Sequence, residues 1–335
     1  MELINGTPFS AQLAALPDKD GAETLVAILK GRFTITPDGC RRAEEPAVIV
    51  QADEPWGEPG QSSTRLESDL ATRKPATDVV LIGHAYAPDA RSQDMIVSLA
   101  VGPVRQQARV CGDRHWHYAL GLTRASSPQP FDRIPLLFER AFGGSQLGPE
   151  GDDVIGQEER NPVGRGYSRK RRRAHLDGLP LPNIEDPGQR LRRPNQRPAP
   201  VGFGFVGRHW EPRRSLLGTY DAAWERDRMP LVPVDFDERA FNGAPESLQA
   251  RPHLRGDESV EALGVTPTGP LRFALPALQP SFELHDGSDW RPLVGVLDTI
   301  VIEPDALCVS LTWRASANVH GRIRRVRAVR IGSVS

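Results

Sequence analysis

The sequence predicts an all-β protein, with two β-sandwich-like portions joined by a long irregular middle that contains few short helices. Short runs rich in Val, Ile and aromatic residues recur in the first and last thirds of the chain, and several alternate apolar with polar residues. Glycine and proline number 31 each among 335 residues, which favours many turns over long helices. These observations indicate antiparallel sheets with one buried face.

Residues 1–130 are predicted to form the N-terminal β portion. Turn signals such as TPDG and APDARSQD separate runs with the composition of strands. The predicted strands are TLVAILKGRFTI, EPAVIVQAD, DVVLIGHAYAP, DMIVSLAVG and RQQARVCGDRHWHYAL.

Residues 131–230 are predicted to be an irregular middle rich in Pro, Gly and Arg, because the segment is too long for an ordinary loop. Such a segment is either disordered or an ordered region that carries the function. Trp210 and Trp224 favour order after Val201, since buried aromatic rings offset the entropy cost of ordering. Short helices are expected at DAAWERDR and at APESLQA.

Residues 231–320 are predicted to form the C-terminal β portion, including a hairpin that turns at EPDA within DTIVIEPDALCVSLTWRA. Residues 321–335 form a basic tail, either an exposed last strand or a loose end.

Composition and charge limit the classes of function that the chain can have. The formal net charge is -1, no apolar run is long enough to span a bilayer, and the three cysteines lie far apart. We therefore expect a cytoplasmic protein with no metal site and no cofactor. GFGFVG matches a nucleotide-binding glycine pattern, but neither the preceding strand nor the following helix is present, so a tight glycine turn is the preferred interpretation.

The stretch GTYDAAWERDRMPLVPVDFDERAFNGAP carries six acids between 221 and 238 beside several arginines. Two facing carboxylates would permit hydrolysis, but arginine–carboxylate pairs are also the ordinary way to bury such charges. We favour a structural or docking role, with no catalytic residue. The candidates are Trp210, Arg213, Tyr220, Asp221, Trp224 and Asp235.

The densest basic run predicts a second surface for a partner. Residues 160–214 hold 14 Lys and Arg against 4 Asp and Glu. A solvated loop, internal pairing with acids, an acidic protein partner and nucleic acid all fit this run. The candidate binding residues are Arg169, Lys170, Arg171, Arg172 and Arg173.

Many multi-residue blocks, in order over roughly residues 5–315, resemble a bacterial family, the domain of unknown function 2169, found with type VI secretion systems. The blocks include KPATDVVLIGHAYAP, PLLFERAFGG, ERNPVGRGY, LPNIEDP, GFGFVGRHWEPR, GTYDAAWERDRMPLVPVDFD, FNGAP and LDTIVIEPD.

The resemblance implies a non-catalytic adaptor or chaperone that binds a type VI secretion effector and helps to load it onto the VgrG/PAAR spike. Its partners would be the effector and the spike components. The first alternative is a carboxylate-dependent hydrolase using acids within 221–238. The second is a nucleic-acid binder acting through residues 169–173.

Overall fold

The computed structural model describes residues 1–147, 154–169, 176–319, 321 and 323–334. Strands dominate these residues, and one α-helix, α1 at Ala222–Asp227, is present among them, so the predicted all-β class is confirmed. The strands, in chain order, are β1 Glu2–Asn5, β2 Ser10–Pro17, β3 Glu23–Thr36, β4 Gly39–Arg42, β5 Glu54–Pro55, β6 Thr64–Leu66, β7 Thr77–Leu81, β8 His84–Tyr86, β9 Asp94–Val101, β10 Val104–Cys111, β11 Trp116–Ala119, β12 Leu122–Ala125, β13 Arg133–Pro135, β14 Phe142–Gly143, β15 Ser145–Leu147, β16 Val154–Gln157, β17 Arg165–Gly166, β18 Ile184–Glu185, β19 Gln249–Ala250, β20 Ser259–Leu263, β21 Leu271–Ala274, β22 Gln279–His285, β23 Trp290–Leu293, β24 Gly295–Glu303, β25 Cys308–Asn318 and β26 Ala328–Val334.

The largest sheet has seven strands, in the order β19-β7-β24-β25-β3-β2, with β4 also paired to β3. Its two longest strands, β3 and β25, run antiparallel over eleven residue pairs from Thr24–Asn318 to Thr34–Cys308. Their apolar side chains are buried almost throughout. The predicted hairpin is confirmed: β24 and β25 are joined by a 3-10 turn at Pro304–Ala306.

Two smaller sheets complete the main core. A five-stranded sheet has the order β18-β10-β9-β20-β21, and a four-stranded sheet has the order β1-β26-β22-β23. Apolar residues of all three sheets belong to one continuous cluster, in which Leu29, Leu99 and Ile331 are each no more than 1% exposed. The three sheets therefore share one core, and a smaller separate apolar cluster contains Trp116, Phe142, Leu176, Leu181 and Leu191.

Strands from the predicted N-terminal and C-terminal β portions are interleaved. The seven-stranded sheet combines β2, β3 and β7 with β19, β24 and β25, so the two portions do not form separate sheets. Local composition reveals strands but carries no signal for pairing across such distances, which is why the sequence suggested two units. The division of the chain into independent folding units stays a prediction, with the bounds 1–130, 131–230, 231–320 and 321–335.

The basic tail is a strand inside a sheet. β26 pairs parallel to β1 on one side and antiparallel to β22 on the other. Val329 and Ile331 point into the core and are fully buried. The alternative of a loose end is wrong for the described residues 323–334.

The irregular middle is ordered where the structure describes it. Phe203, Phe205 and Trp210 are buried, so the order predicted after Val201 is confirmed. Two glycines of GFGFVG let aromatic rings approach the backbone: a Cβ would lie 2.6 Å from the Phe138 ring at Gly202 and 2.8 Å from the Trp210 ring at Gly207. None of these glycines has a positive φ, but a turn does begin at Gly207, where the Trp210 N–H donates to the Gly207 carbonyl at 3.1 Å. The predicted turn is therefore present at the end of the motif, together with a close ring approach at Gly202.

Candidate functional site

A buried lysine ties together three distant parts of the chain. Lys74 Nζ lies 2.8 Å from Asp78 Oδ2 and 3.0 Å from Thr299 Oγ1. The loop at 242–244 donates three further hydrogen bonds to the Asp78 carboxylate, at 2.8 to 3.2 Å. Burial disfavours the ammonium, but attraction to the nearby carboxylates outweighs it, so the pKa of Lys74 is raised. This cluster stabilises the fold and is closed to substrate.

Arg213 forms a second buried cluster. Its guanidinium donates to the Glu67 carboxylate and, through Nε and Nη2, to the Ala240 carbonyl at 3.0 and 2.9 Å. Trp210, nearby in sequence, meets the ring of Phe138 edge-on at 5.5 Å between centroids. Both candidates therefore lie in the interior, where they connect the middle of the chain to the sheets.

Three more buried ion pairs form two further clusters. Arg314 of β25 donates to Asp298 of β24, with both side chains at most 1% exposed. Glu185 accepts from Arg109 at 2.8 Å and from Arg114 at 2.9 Å. Such pairs hold a specific geometry, and removing one partner leaves an uncompensated charge.

The other candidates lie on an exposed segment, residues 218–236, called the aromatic lobe below. Pro233 is its only buried residue. Tyr220 is 54% exposed, Met229 62% and Val234 76%. The Tyr220 ring contacts the ring of Trp224 at 4.7 Å between centroids. The lobe thus exposes several apolar side chains, interspersed with exposed charged residues such as Glu225 and Arg226.

Hydrogen bonds within the lobe fix its shape. Asp221 caps α1 by accepting from the Trp224 backbone N–H at 2.8 Å, and Trp224 Nε1 donates to the Leu231 carbonyl at 2.8 Å. Asp235 accepts from both the N–H and the hydroxyl of Thr219, at 3.0 and 2.8 Å. These bonds order an irregular segment that buries little apolar surface of its own.

The lobe is anchored to the turn between β2 and β3. Arg228 donates to the Lys19 carbonyl and contacts Asp20 at 3.2 Å. Leu231 covers Gly21, where φ is +79° and a Cβ would lie 2.9 Å from Leu231 Cδ2. The lobe therefore lies beside one end of the seven-stranded sheet.

The structure thus divides the six candidates. Trp210 and Arg213 are buried, whereas Tyr220, Asp221, Trp224 and Asp235 all belong to the lobe. The buried carboxylate that pairs with Arg213 belongs to Glu67, 146 residues away in the sequence. The sequence did not identify this residue. No sequence pattern marks Glu67 as buried, because it resembles any surface acid.

Five of the six acids of 221–238 already have partners in the structure: Asp221, Asp227, Asp235, Asp237 and Glu238. Hydrogen bonds from Thr219 lower the pKa of Asp235, and those from Arg239 lower the pKa of Asp237. Arg226 pairs with Asp227 at 2.7 Å, with both side chains exposed. A general acid needs a raised pKa, so the shifts at Asp235 and Asp237 run against acid catalysis by these two groups.

The basic run is only partly described. Arg169 donates to a backbone carbonyl at 2.9 Å, and residues 170–173 lie outside the described residues. Near in sequence, Arg190, Arg192 and Arg197 line an open cleft of about 720 Å³. Within the described ranges, no carboxylate forms an ion pair with Arg190 or Arg192.

A surface cluster of His84, Tyr86 and Asp305 was not identified from the sequence. Asp305 lies 2.7 Å from His84 Nδ1 and accepts from the Tyr86 hydroxyl at 2.9 Å. Burial, together with the hydrogen bond to Asp305, raises the pKa of Tyr86. The three residues lie in the stretches GHAYAP and IEPD, which are far apart in sequence. The parallel pairing of β7 with β24 brings these stretches together.

Neither a metal centre nor a membrane span emerges from the described part of the chain. It contains no group of three or more His, Cys, Asp or Glu side chains arranged to hold a metal ion. No described helix has the length and apolar character required to cross a membrane.

The fold and these clusters define an all-β protein with charge pairs buried in its core and an ordered aromatic lobe at its surface. The chain belongs to the family described as "Uncharacterized protein conserved in bacteria (DUF2169)", whose profile matches residues 20–314. No curated protein and no solved structure shows a significant match to the sequence.

Proposed function

We propose that this chain is a non-catalytic adaptor or chaperone that binds a type VI secretion effector and helps to load it onto the VgrG/PAAR spike. The observation that carries the proposal is the aromatic lobe. Tyr220, Met229 and Val234 are each exposed on one segment that internal hydrogen bonds order. The link to secretion comes from the sequence resemblance.

The lobe has the chemistry of a protein-binding surface. Tyrosine, tryptophan and methionine are enriched at interfaces, and a few such side chains supply most of the binding energy. A segment that is already ordered loses little entropy on binding. An adaptor that binds only the folded effector stabilises that state by mass action, which gives the chaperone activity.

The test is co-expression of the tagged chain with the effector and spike proteins of the source bacterium. We expect the effector to co-purify in equal amounts and its soluble yield to depend on this chain. Val234→Asp should reduce effector recovery about tenfold, which corresponds to a loss of about 1.4 kcal/mol of binding free energy. Val294→Asp is the matched control, because Val294 is 84% exposed and lies in the turn before β24. Unchanged recovery with both variants would remove the lobe from the binding surface.

The two alternatives make different predictions in the same preparation. A hydrolase would need activity that disappears when acids within 221–238 are neutralised. A nucleic-acid binder would retain DNA or RNA with steep salt dependence, weakened by removing the charges of 169–173. If no partner co-purifies and the effector stays soluble alone, the adaptor proposal fails.

A further inference from the structure

β2 is an edge strand of the seven-stranded sheet, and the backbone groups on its outer side are open. Residues 47–51 lie against side chains of the strand: Ser10 Oγ donates to the Ala47 carbonyl at 2.6 Å, and Gln12 exchanges amide hydrogen bonds with Gln51. β2 pairs with β3 over eight consecutive residues, from Ser10–Lys30 to Pro17–Glu23, without a bulge. On the other side, no described backbone group forms a hydrogen bond with its backbone. Alternate N–H and C=O groups along this edge therefore lack a protein partner among the described residues. Such an edge is a template for pairing with another strand.

The sequence of β2, SAQLAALP, lacks the features that usually protect an edge. It has no charged residue, and its only proline, Pro17, stands at the end. Other edges are better protected: β19 and β18 have two residues each, β1 begins with Glu2, and β23 carries Arg291 beside Pro292. β2 is the longest uncharged edge among the described sheets.

We infer that two copies of this chain form a homodimer by pairing their β2 strands antiparallel about a two-fold axis through Leu13. A sheet that continues across this axis must place residues of the same face opposite each other. Several registers satisfy this rule and leave Pro17 unpaired. The longest of them within β2 sets Ser10 opposite Leu16, Ala11 opposite Ala15 and Gln12 opposite Ala14 of the second copy.

This register is chemically self-complementary. One face brings together Ala11, Leu13 and Ala15 of both copies, and Ala11 and Leu13 already contact the main core. No charged side chain lies on the strand, so no like charges oppose each other. The far edge of the sheet, β19, is only two residues long, so pairing stops at two copies.

A second copy is favoured over an extended effector segment as the occupant. Both would add a strand to the same edge. The second copy is present at the concentration of the chain itself, and its β2 is known to match in length, charge and face. This inference does not depend on the proposed function.

The first test is the molar mass of the purified full chain by light scattering after size exclusion. We expect two copies of the 36.8 kDa chain. Ala15→Lys places an edge charge at an exposed position of β2 and should yield the monomer. Val294→Lys, a matched lysine at an exposed position away from the edge, should remain a dimer. A monomeric parent chain, or a dimer that survives Ala15→Lys, overturns the inference.

The second test reads the register. Leu13→Cys should form an intermolecular disulfide under mild oxidation, because Leu13 faces itself across the axis. Ala14→Cys should form far less, because Ala14 faces Gln12. The native thiols give little background: Cys111 and Cys308 are buried, and burial raises the pKa of Cys40 to about 11. Preferential crosslinking of Ala14→Cys would refute this register.

Discussion

The Lys74–Asp78 pair predicts an asymmetry between two substitutions that remove one charge each. Asp78→Asn removes the closest carboxylate of the buried Lys74 ammonium. Thr299 Oγ1 stays as its hydrogen-bond partner, and the Asp298 and Glu67 carboxylates stay as its opposite charges. Breaking a buried pair in this way costs about 3–5 kcal/mol. Lys74→Met leaves the Asp78 carboxylate with three N–H donors from 242–244, at 2.8 to 3.2 Å. Retained charge-assisted hydrogen bonds and apolar packing should reduce that cost to about 2 kcal/mol.

The assay is urea unfolding followed by tryptophan fluorescence, comparing midpoints of the parent, both single variants and the double variant. Asp78→Asn should shift the midpoint down further than Lys74→Met. The double variant should lie closer to Lys74→Met than the sum of the single effects predicts, because it contains no buried unpaired ammonium. Equal losses for the two single variants would refute the reasoning, since they would mean that the donors of 242–244 do not support the carboxylate.

Three further predictions test separate features. Gly202→Ala should destabilise by about 1–3 kcal/mol, because its Cβ would enter the Phe138 ring, whereas Gly204→Ala, whose Cβ meets nothing within 4 Å, should change the thermal midpoint little. Asp221→Ala removes the cap of α1, worth about 1 kcal/mol locally, so hydrogen exchange should rise within the lobe while global unfolding is nearly unchanged. Because the pKa of Lys74 is raised, its contribution to stability should be complete below its ordinary pKa of 10.5 and lost as the pH rises through the higher folded value. The Lys74→Met variant should lack this alkaline loss of stability. If its free energy of unfolding falls with pH as steeply as that of the parent, the prediction is contradicted.

Local signals predicted local features well. The turn at EPDA and the helix in DAAWERDR both depend on neighbouring residues, and Asp221 caps that helix as its residue type favours. The rings of Tyr220 and Trp224, four residues apart, are in contact although Tyr220 precedes the helix. These features need no information from elsewhere in the chain.

Distant partnerships could not be predicted. Nothing near Arg213 in sequence indicates that its acid is Glu67, and nothing near Lys30 indicates that its buried partner is Asp69. The exposure of Tyr220 has the same origin, because an aromatic residue in a proline-rich segment fits a core position and a docking surface equally well. Which of the two occurs depends on where the sheets leave space, and sheet pairing is a property of the whole chain.

The placement of β3 against β25 has a consequence for biosynthesis. Arg32 and Glu303 pair across this sheet although 271 residues separate them. At roughly 5–20 residues per second, the ribosome needs roughly 14–54 s to make the intervening chain. During that interval β3, a fourteen-residue strand with a continuous apolar run, has emerged without the strand that will cover its inner edge. Slower translation lengthens this exposure, so the yield of folded protein should depend on elongation speed and on the supply of chaperones that hold nascent strands apart.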